Sequence, residues 1–140
     1  MKKKIISVIS VALVAVVLVA ALVACGPARN PDKALEALKD NGYTAAKDDT
    51  VVPTVLRGLG VKGIDCVVSG TNVSDESVES VTIVYFTSSD AANEAWSDVK
   101  EYATKKNSSE NKGDPDTDFV INKSGKMIYY GTSAGVKAAR

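Results

Sequence analysis

Apolar residues fall into two regimes along this chain. Residues 5–24 form a nearly unbroken apolar run, interrupted only by Ser7 and Ser10. Beyond residue 30 the apolar positions are spaced, first at helical intervals and then in alternation. Ala34, Leu35 and Leu38 form a stripe that predicts a helix over 31–41. Asn30 stands as its N-cap and Pro31 at its first position, where a missing N–H costs nothing. Asn41-Gly42 supplies a left-handed stop, after which Tyr43 packs back on the last turn. Residues 44–63 carry conflicting signals. Asp48-Asp49-Thr50 reads as a turn and Val51-Val52 as the start of a strand, but Pro53 interrupts it and Gly58, Gly60 and Gly63 follow. A short helical turn and an irregular loop both fit.

From residue 64 the pattern sharpens. Residues 64–70 and 78–86 are rich in β-branched and aromatic side chains and are joined by the polar stretch 71–77, which predicts an antiparallel hairpin. Ile64, Cys66 and Val68 are expected to share its core face with Val81, Ile83 and Tyr85. Ala92, Ala95 or Trp96, Val99 and Tyr102 or Ala103 recur at helical spacing, with Asp90 in the first turn, predicting a helix over about 89–105. Residues 106–115 read as a polar loop. Phe119-Val120-Ile121 and Met127-Ile128-Tyr129-Tyr130 flank Asn122-Lys123-Ser124-Gly125, a second tight hairpin. Gly131-Thr132-Ser133 then opens a last short helix.

The fold class expected is therefore α+β, in the order α-ββ-α-ββ-α. Its simplest architecture is a four-stranded antiparallel sheet built from two hairpins, with helices on one face and the opposite face partly wet. A shift of 45 residues lays Ile83, Tyr85, Thr87 and Ser88 on Ile128, Tyr130, Thr132 and Ser133. An internal ββα duplication would leave that trace, although any strand-to-helix junction favours Thr and Ser.

Charge changes the picture of the first 25 residues. The 140-residue chain holds 17 basic and 17 acidic residues. Lys2, Lys3 and Lys4 all precede the apolar run, so the remainder is mildly acidic and offers no extended basic groove for nucleic acid. A cationic start before an apolar segment is the secretory pattern. Twenty residues at 1.5 Å each would also span ~30 Å of hydrocarbon, so length alone leaves a retained transmembrane segment open. Leu22-Val23-Ala24-Cys25, followed by Gly26, decides between them. Here the chain resembles bacterial lipoproteins, whose lipobox places a branched apolar residue three before the cysteine and a small residue directly before it.

The resemblance implies that residues 1–24 are a signal peptide, cut between Ala24 and Cys25. Cys25 would become a diacylglyceryl (palmitate-type) thioether at the mature N-terminus. Two acyl chains, at ~0.8 kcal/mol per buried CH₂, hold a protein stably at a membrane where one would not. Residues 25–30 then read as lipidated cysteine and short tether, reaching ~17 Å if extended, and 31–140 as one small domain. The expected location is the extracytoplasmic face of a bacterial cell membrane. With Cys25 consumed, Cys66 has no intramolecular partner. It reads as a buried, inert thiol, with an intermolecular disulfide as the sharper alternative.

Candidate chemistry is sparse. The chain has no His, which removes His-based catalysis, the Ser-His-Asp arrangement and most zinc sites. The glycines at 58, 60 and 63 lack the Lys-Ser ending of a phosphate loop. Asp114, Asp116 and Asp118 alternate as calcium ligands do, yet position six of that pattern is Phe119 and position twelve Gly125. A solvated acidic loop is the plainer reading. Tyr85, Trp96, Tyr102, Tyr129 and Tyr130 read as core, except that Tyr130 would stand on the open sheet face beside Val84, Phe86 and Ile128. Those four form the expected partner-binding surface.

The function expected is a non-catalytic, lipid-anchored binding or adaptor module of the cell envelope. Its partners would be the membrane, through the lipid, and an unknown protein or small-molecule ligand, with no nucleic acid. No cofactor is expected beyond the covalent lipid. The rivals are a small envelope enzyme using carboxylates such as Asp114 and Asp116, and a purely structural surface protein.

Overall fold

A computed structural model of the chain describes residues 26–74, 77–110 and 119–140. The cleavage site Ala24, Cys25, and the acidic positions Asp114, Asp116 and Asp118 lie outside the described residues. Within them the elements run α1 (Pro31–Asp40), β1 (Thr44–Asp48), α2 (Val51–Gly58), β2 (Ile64–Val73), β3 (Val78–Phe86), α3 (Ser89–Glu110), β4 (Phe119–Ser124), β5 (Met127–Thr132) and α4 (Ser133–Ala138).

The first helix forms as its caps dictate. The Asn30 side-chain oxygen accepts from the backbone N–H of Asp32 at 2.9 Å and of Lys33 at 3.3 Å. At the other end Gly42, at φ +82°, turns the chain so that the Tyr43 N–H reaches the Leu38 carbonyl at 2.9 Å. The ambiguous stretch 44–63 resolves into a strand and a helix. Helix α2 begins at Val51 because the Asp48 carboxylate accepts from the N–H of Thr50, Val51 and Val52 at 2.8–3.0 Å. Pro53 sits in the first turn, where it has no N–H to leave unpaired. One carboxylate and one proline thus close the whole N-terminus of α2.

The sheet is antiparallel throughout, in the order β1-β2-β3-β5-β4. It has five strands rather than four. The addition is the edge strand β1, whose Thr-Ala-Ala-Lys-Asp sequence has little strand propensity and is held by pairing with β2 from Thr44↔Thr71 to Asp48↔Val67. The two hairpins lie where expected, and the second closes on a Gly125-Lys126 turn with Gly125 at φ +57°. Helix α3 runs on to Glu110, so residues 106–110 are helical rather than loop.

Helices cover both faces of the sheet, not one. On the first face α1 and α4 enclose Leu38, Tyr43, Cys66, Val68, Val81, Ile83, Tyr85 and Tyr129. On the second, α2 and α3 enclose Leu56, Val67, Val84, Phe86, Ala95, Val99, Ile128 and Tyr130. The reason lies in the strands. Residues 83–86 and 127–130 are apolar at every position, which is the mark of strands buried on both sides. The expected open face therefore does not exist: Val84 and Ile128 are 0% exposed, Phe86 3% and Tyr130 6%.

Two finer expectations change with the register. Ile64 pairs with Phe86 but Cys66 with Tyr85, so a bulge at Asp65 turns Ile64 to the second face, away from Cys66 and Val68. The 45-residue shift also loses its support. Ile83 and Tyr85 point to the first face, while Ile128 and Tyr130 point to the second. A two-fold relating antiparallel neighbours β3 and β5 would keep equivalent residues on one face, which an odd shift cannot do.

Residues 26–28 do not hang free of the domain. Pro27 is buried, the Ala28 N–H donates to the Ala139 carbonyl at 2.8 Å, and the Tyr85 hydroxyl donates to the Ala28 carbonyl at 2.7 Å.

Candidate ligand-binding cleft

On the second face the strands change character partway along. Three cross-strand rows tell the change: Val67-Val84-Ile128, then Ser69-Thr82-Tyr130, then Thr71-Ser80 with Thr132 joined to Ser80 through its hydroxyl. The first row is apolar and sealed. In the other two, five of six side chains bear aliphatic hydroxyls. The C-terminal half of α3 brings Ala103, Lys106 and Asn107 over these rows, and the result is a cleft of about 440 Å³. That volume falls within the ~300–1,000 Å³ usual for small-molecule sites.

One corner of the cleft is rigid. The Thr132 hydroxyl accepts from the N–H of Ser80 at 3.1 Å and of Gly135 at 3.2 Å, and donates to the Ser80 carbonyl at 3.2 Å. It thereby joins β3, the end of β5 and the first turn of α4. Gly131 and Gly135 complete the corner, since a Cβ on either would be driven into the Ser80 carbonyl oxygen. With its donor and both acceptor sites engaged, Thr132 is a structural hydroxyl.

The others differ. Among the described residues no side-chain hydrogen bond engages the hydroxyls of Ser69, Thr71, Ser80 or Thr82. Each is half-buried except Thr71, which is exposed. Tyr130 lies beside them as a nearly buried aromatic wall and Phe119 as a half-buried one. Among the described residues the only cation on the lining is Lys106, and no Asp, Glu or Cys contributes to it. Such a lining offers paired donors and acceptors with an apolar wall.

The ionisable groups with displaced pKa values lie elsewhere and are structural. Burial pushes the Cys66 thiol up, reinforced by the Asp65 carboxylate and opposed by Lys47. Burial likewise raises the Tyr85 phenol, with Cys66 adding to it, and raises Tyr129 against the lowering effect of its Asn122 hydrogen bond. Tyr43 is raised by burial and then by Glu79. The three backbone N–H groups on Asp48 hold its carboxyl below the ordinary range. None of these groups lines the cleft.

Of the residues singled out from sequence, Val84, Phe86, Ile128 and Tyr130 do come together, but beneath α3, and only Tyr130 reaches the cleft. The remaining aromatics are core as expected, with Trp96 half-buried and carrying Lys100 at 5.6 Å and Lys123 at 5.9 Å from its ring centre. Cys66 is buried on the first face. The cleft residues Ser69, Thr71, Ser80, Thr82 and Asn107 were missed. Their signal is a period-two run of hydroxyls, Ser69-x-Thr71 and Ser80-x-Thr82, within strands whose other ends are wholly apolar. No group of three or more Asp, Glu, Cys or His positioned for a metal ion occurs among the described residues. The chain matches no family model, no curated protein and no solved structure.

Proposed function

We propose that this chain is a lipid-anchored bacterial lipoprotein of the extracytoplasmic face, and that its domain is a non-catalytic binding module. The lipobox at Leu22 to Cys25 supports the anchor. The cleft on the second face supports the binding role, and takes the place of the open sheet face expected from sequence. The observation that carries the reading is the set of four half-buried or exposed hydroxyls, without hydrogen-bond partners among the described residues, set beside Tyr130. Polar groups left unpaired at a surface cleft are satisfied by water or by a ligand, and only a ligand of matching shape gains from their fixed positions. The chemistry matched is a small, neutral, polyhydroxylated molecule: its hydroxyls meet Ser and Thr, and its C–H face lies on an aromatic ring.

Ligand-observed saturation-transfer NMR on the mature protein, with glucose and N-acetylglucosamine as probes, tests the binding role. Transfer that disappears in the double variant Ser69→Ala, Thr82→Val supports it. Absence of transfer from both probes, or transfer unchanged in the variant, overturns it. Growth of producing cells with labelled palmitate tests the anchor: an unlabelled product still beginning at Met1 overturns that part.

A further inference from the structure

We infer that the surface around residues 26–28 is the side of the domain that lies against the lipid bilayer, and that the cleft opens away from it. The inference rests on the lipoprotein reading, with Cys25 carrying the lipid.

The geometry of the arm carries it. Cys25 is one peptide bond from Gly26, ~3.8 Å between Cα atoms. Gly26 is itself on the domain, where a Cβ would lie 3.1 Å from the Tyr129 hydroxyl oxygen. Pro27 is buried, and Ala28 is held on both sides of its residue, by Ala139 through the N–H and by Tyr85 through the carbonyl. A free five-residue tether would let the domain turn in any direction above the membrane. A docked arm leaves only the single peptide link between Gly26 and Cys25 as slack. The exposed cations nearest in the chain and the fold suit a lipid headgroup layer. Arg29 follows the clamp, Lys126 sits in the turn whose carbonyl receives the Phe86 N–H, and Lys137 lies on α4 next to the strand of contacts that holds Ala28. Basic side chains at such a surface favour anionic lipid.

The cleft lies on the other face of the sheet. Ala28 meets the first face at Tyr85, and Gly26 lies on Tyr129, which pairs with Ile83. The cleft is on the second face, around Ser80, Thr82 and Tyr130. Thr82 and Tyr85 are close along β3, ~10 Å at ~3.3 Å per residue, but their side chains leave opposite sides of the sheet. A domain seated by its arm thus presents the cleft to the aqueous side, where a soluble ligand arrives.

The experiment uses the full-length lipidated protein purified from producing cells and reconstituted in vesicles of phosphatidylglycerol and phosphatidylcholine, with and without brominated lipid. Lys137→Cys, on the first-face helix α4, and Lys106→Cys, at the cleft, are labelled separately with bimane; both positions are exposed, and the buried Cys66 of the parent serves as the unlabelled control. Intact mass is read first. Absence of a diacylglyceryl group on Cys25 overturns the lipoprotein reading itself. With the lipid present, the label at 137 should lose most of its emission to bromine while the label at 106 keeps its own. Equal quenching at both sites, or stronger quenching at 106, overturns the orientation and leaves the anchor standing. In a Tyr85→Phe background, which frees the Ala28 carbonyl, the contrast between sites should shrink with the lipid mass unchanged. A contrast that persists undiminished shows that the arm does not set the orientation.

Discussion

Phe86 sits where the sequence suggested an exposed contact surface and where the structure shows packed core, so its truncation separates the two. The ring is 3% exposed, beneath the helices of the second face, in a cluster with Ile64, Val84, Ile128 and Ala92. Phe86→Ala removes that ring and leaves a cavity that the neighbouring β-sheet backbone cannot close. Such changes cost ~3–5 kcal/mol, against a total stability of ~5–15 kcal/mol for a small domain. For a domain of this size each kcal/mol moves the melting temperature by roughly 3–6 °C, interpolating between smaller and larger domains. The expected fall is therefore about 10–30 °C, or the equivalent reduction in urea midpoint. Trp96, the single tryptophan, packs against the same cluster, so its fluorescence follows the relevant face while far-UV circular dichroism follows the whole domain. The two probes should give one coincident transition with an unchanged denaturant slope. Val73→Ala, at a position 71% exposed, should stay within ~0.5 kcal/mol of the parent. If Phe86→Ala costs no more than ~0.5 kcal/mol, the range of ordinary surface substitutions, α2 and α3 do not seal this face.

The two kinds of hydroxyl in the cleft should respond oppositely. Thr132→Val deletes three hydrogen bonds and should cost ~1–3 kcal/mol by urea unfolding, whereas Thr82→Val, which deletes none inside the protein, should be neutral; equal effects would mean the hydroxyls are not distinguished as described. Cys66 should resist iodoacetamide at pH 8 in the native protein and react fully in urea, because burial both raises its pKa and blocks access; stoichiometric labelling of the folded protein would refute this. The folded-state pKa of Asp48 is depressed, so its contribution is present above the unfolded carboxyl pKa and is lost as pH falls through the folded value. Asp48→Ala should lower stability at pH 7 and flatten the decline below pH ~4, and an acid limb of unchanged steepness would show that those three N–H bonds do not matter.

Much of the fold was legible because local signals agreed with one another. Asn30, Pro31 and Gly42 bracket α1, and the two hairpins follow from alternating β-rich runs around polar turns. Strand β1 was not legible, since Thr44 to Asp48 acquires its conformation only from pairing with β2. Helix α2 was obscured by Pro53, whose position in a first turn becomes clear only once Asp48 is known to cap it. The expectation of a wet sheet face came from counting strands and helices. The continuous apolar residues 83–86 and 127–130 argued against it, and the register between β3 and β5 turned both faces of that run into core. The cleft could not be read from one strand, because its hydroxyls come from three and are aligned only by the pairings Thr71↔Ser80 and Ser69↔Thr82.

The same register explains why the cleft sits where it does. Helix α3 starts after Phe86 and packs over the second face with Ala92, Ala95, Val99 and Ala103, small residues that bring it close to the sheet. Under its first turns lie Val84 and Ile128, and the fit is dry. By Ala103 the sheet beneath has become Ser and Thr, and the helix answers with Lys106 and Asn107. Had the sole demand on these rows been cohesion, Val at positions 69, 71, 80 and 82 would bury more apolar area and leave no unpaired hydroxyl. The first face shows that this chain builds such a seal readily, since Val81 and Val68 close it one residue away on the same strands. Cohesion alone therefore does not account for an apolar seal on one side of β2 and β3 and a hydroxyl-lined cleft on the other at the same level of the strands.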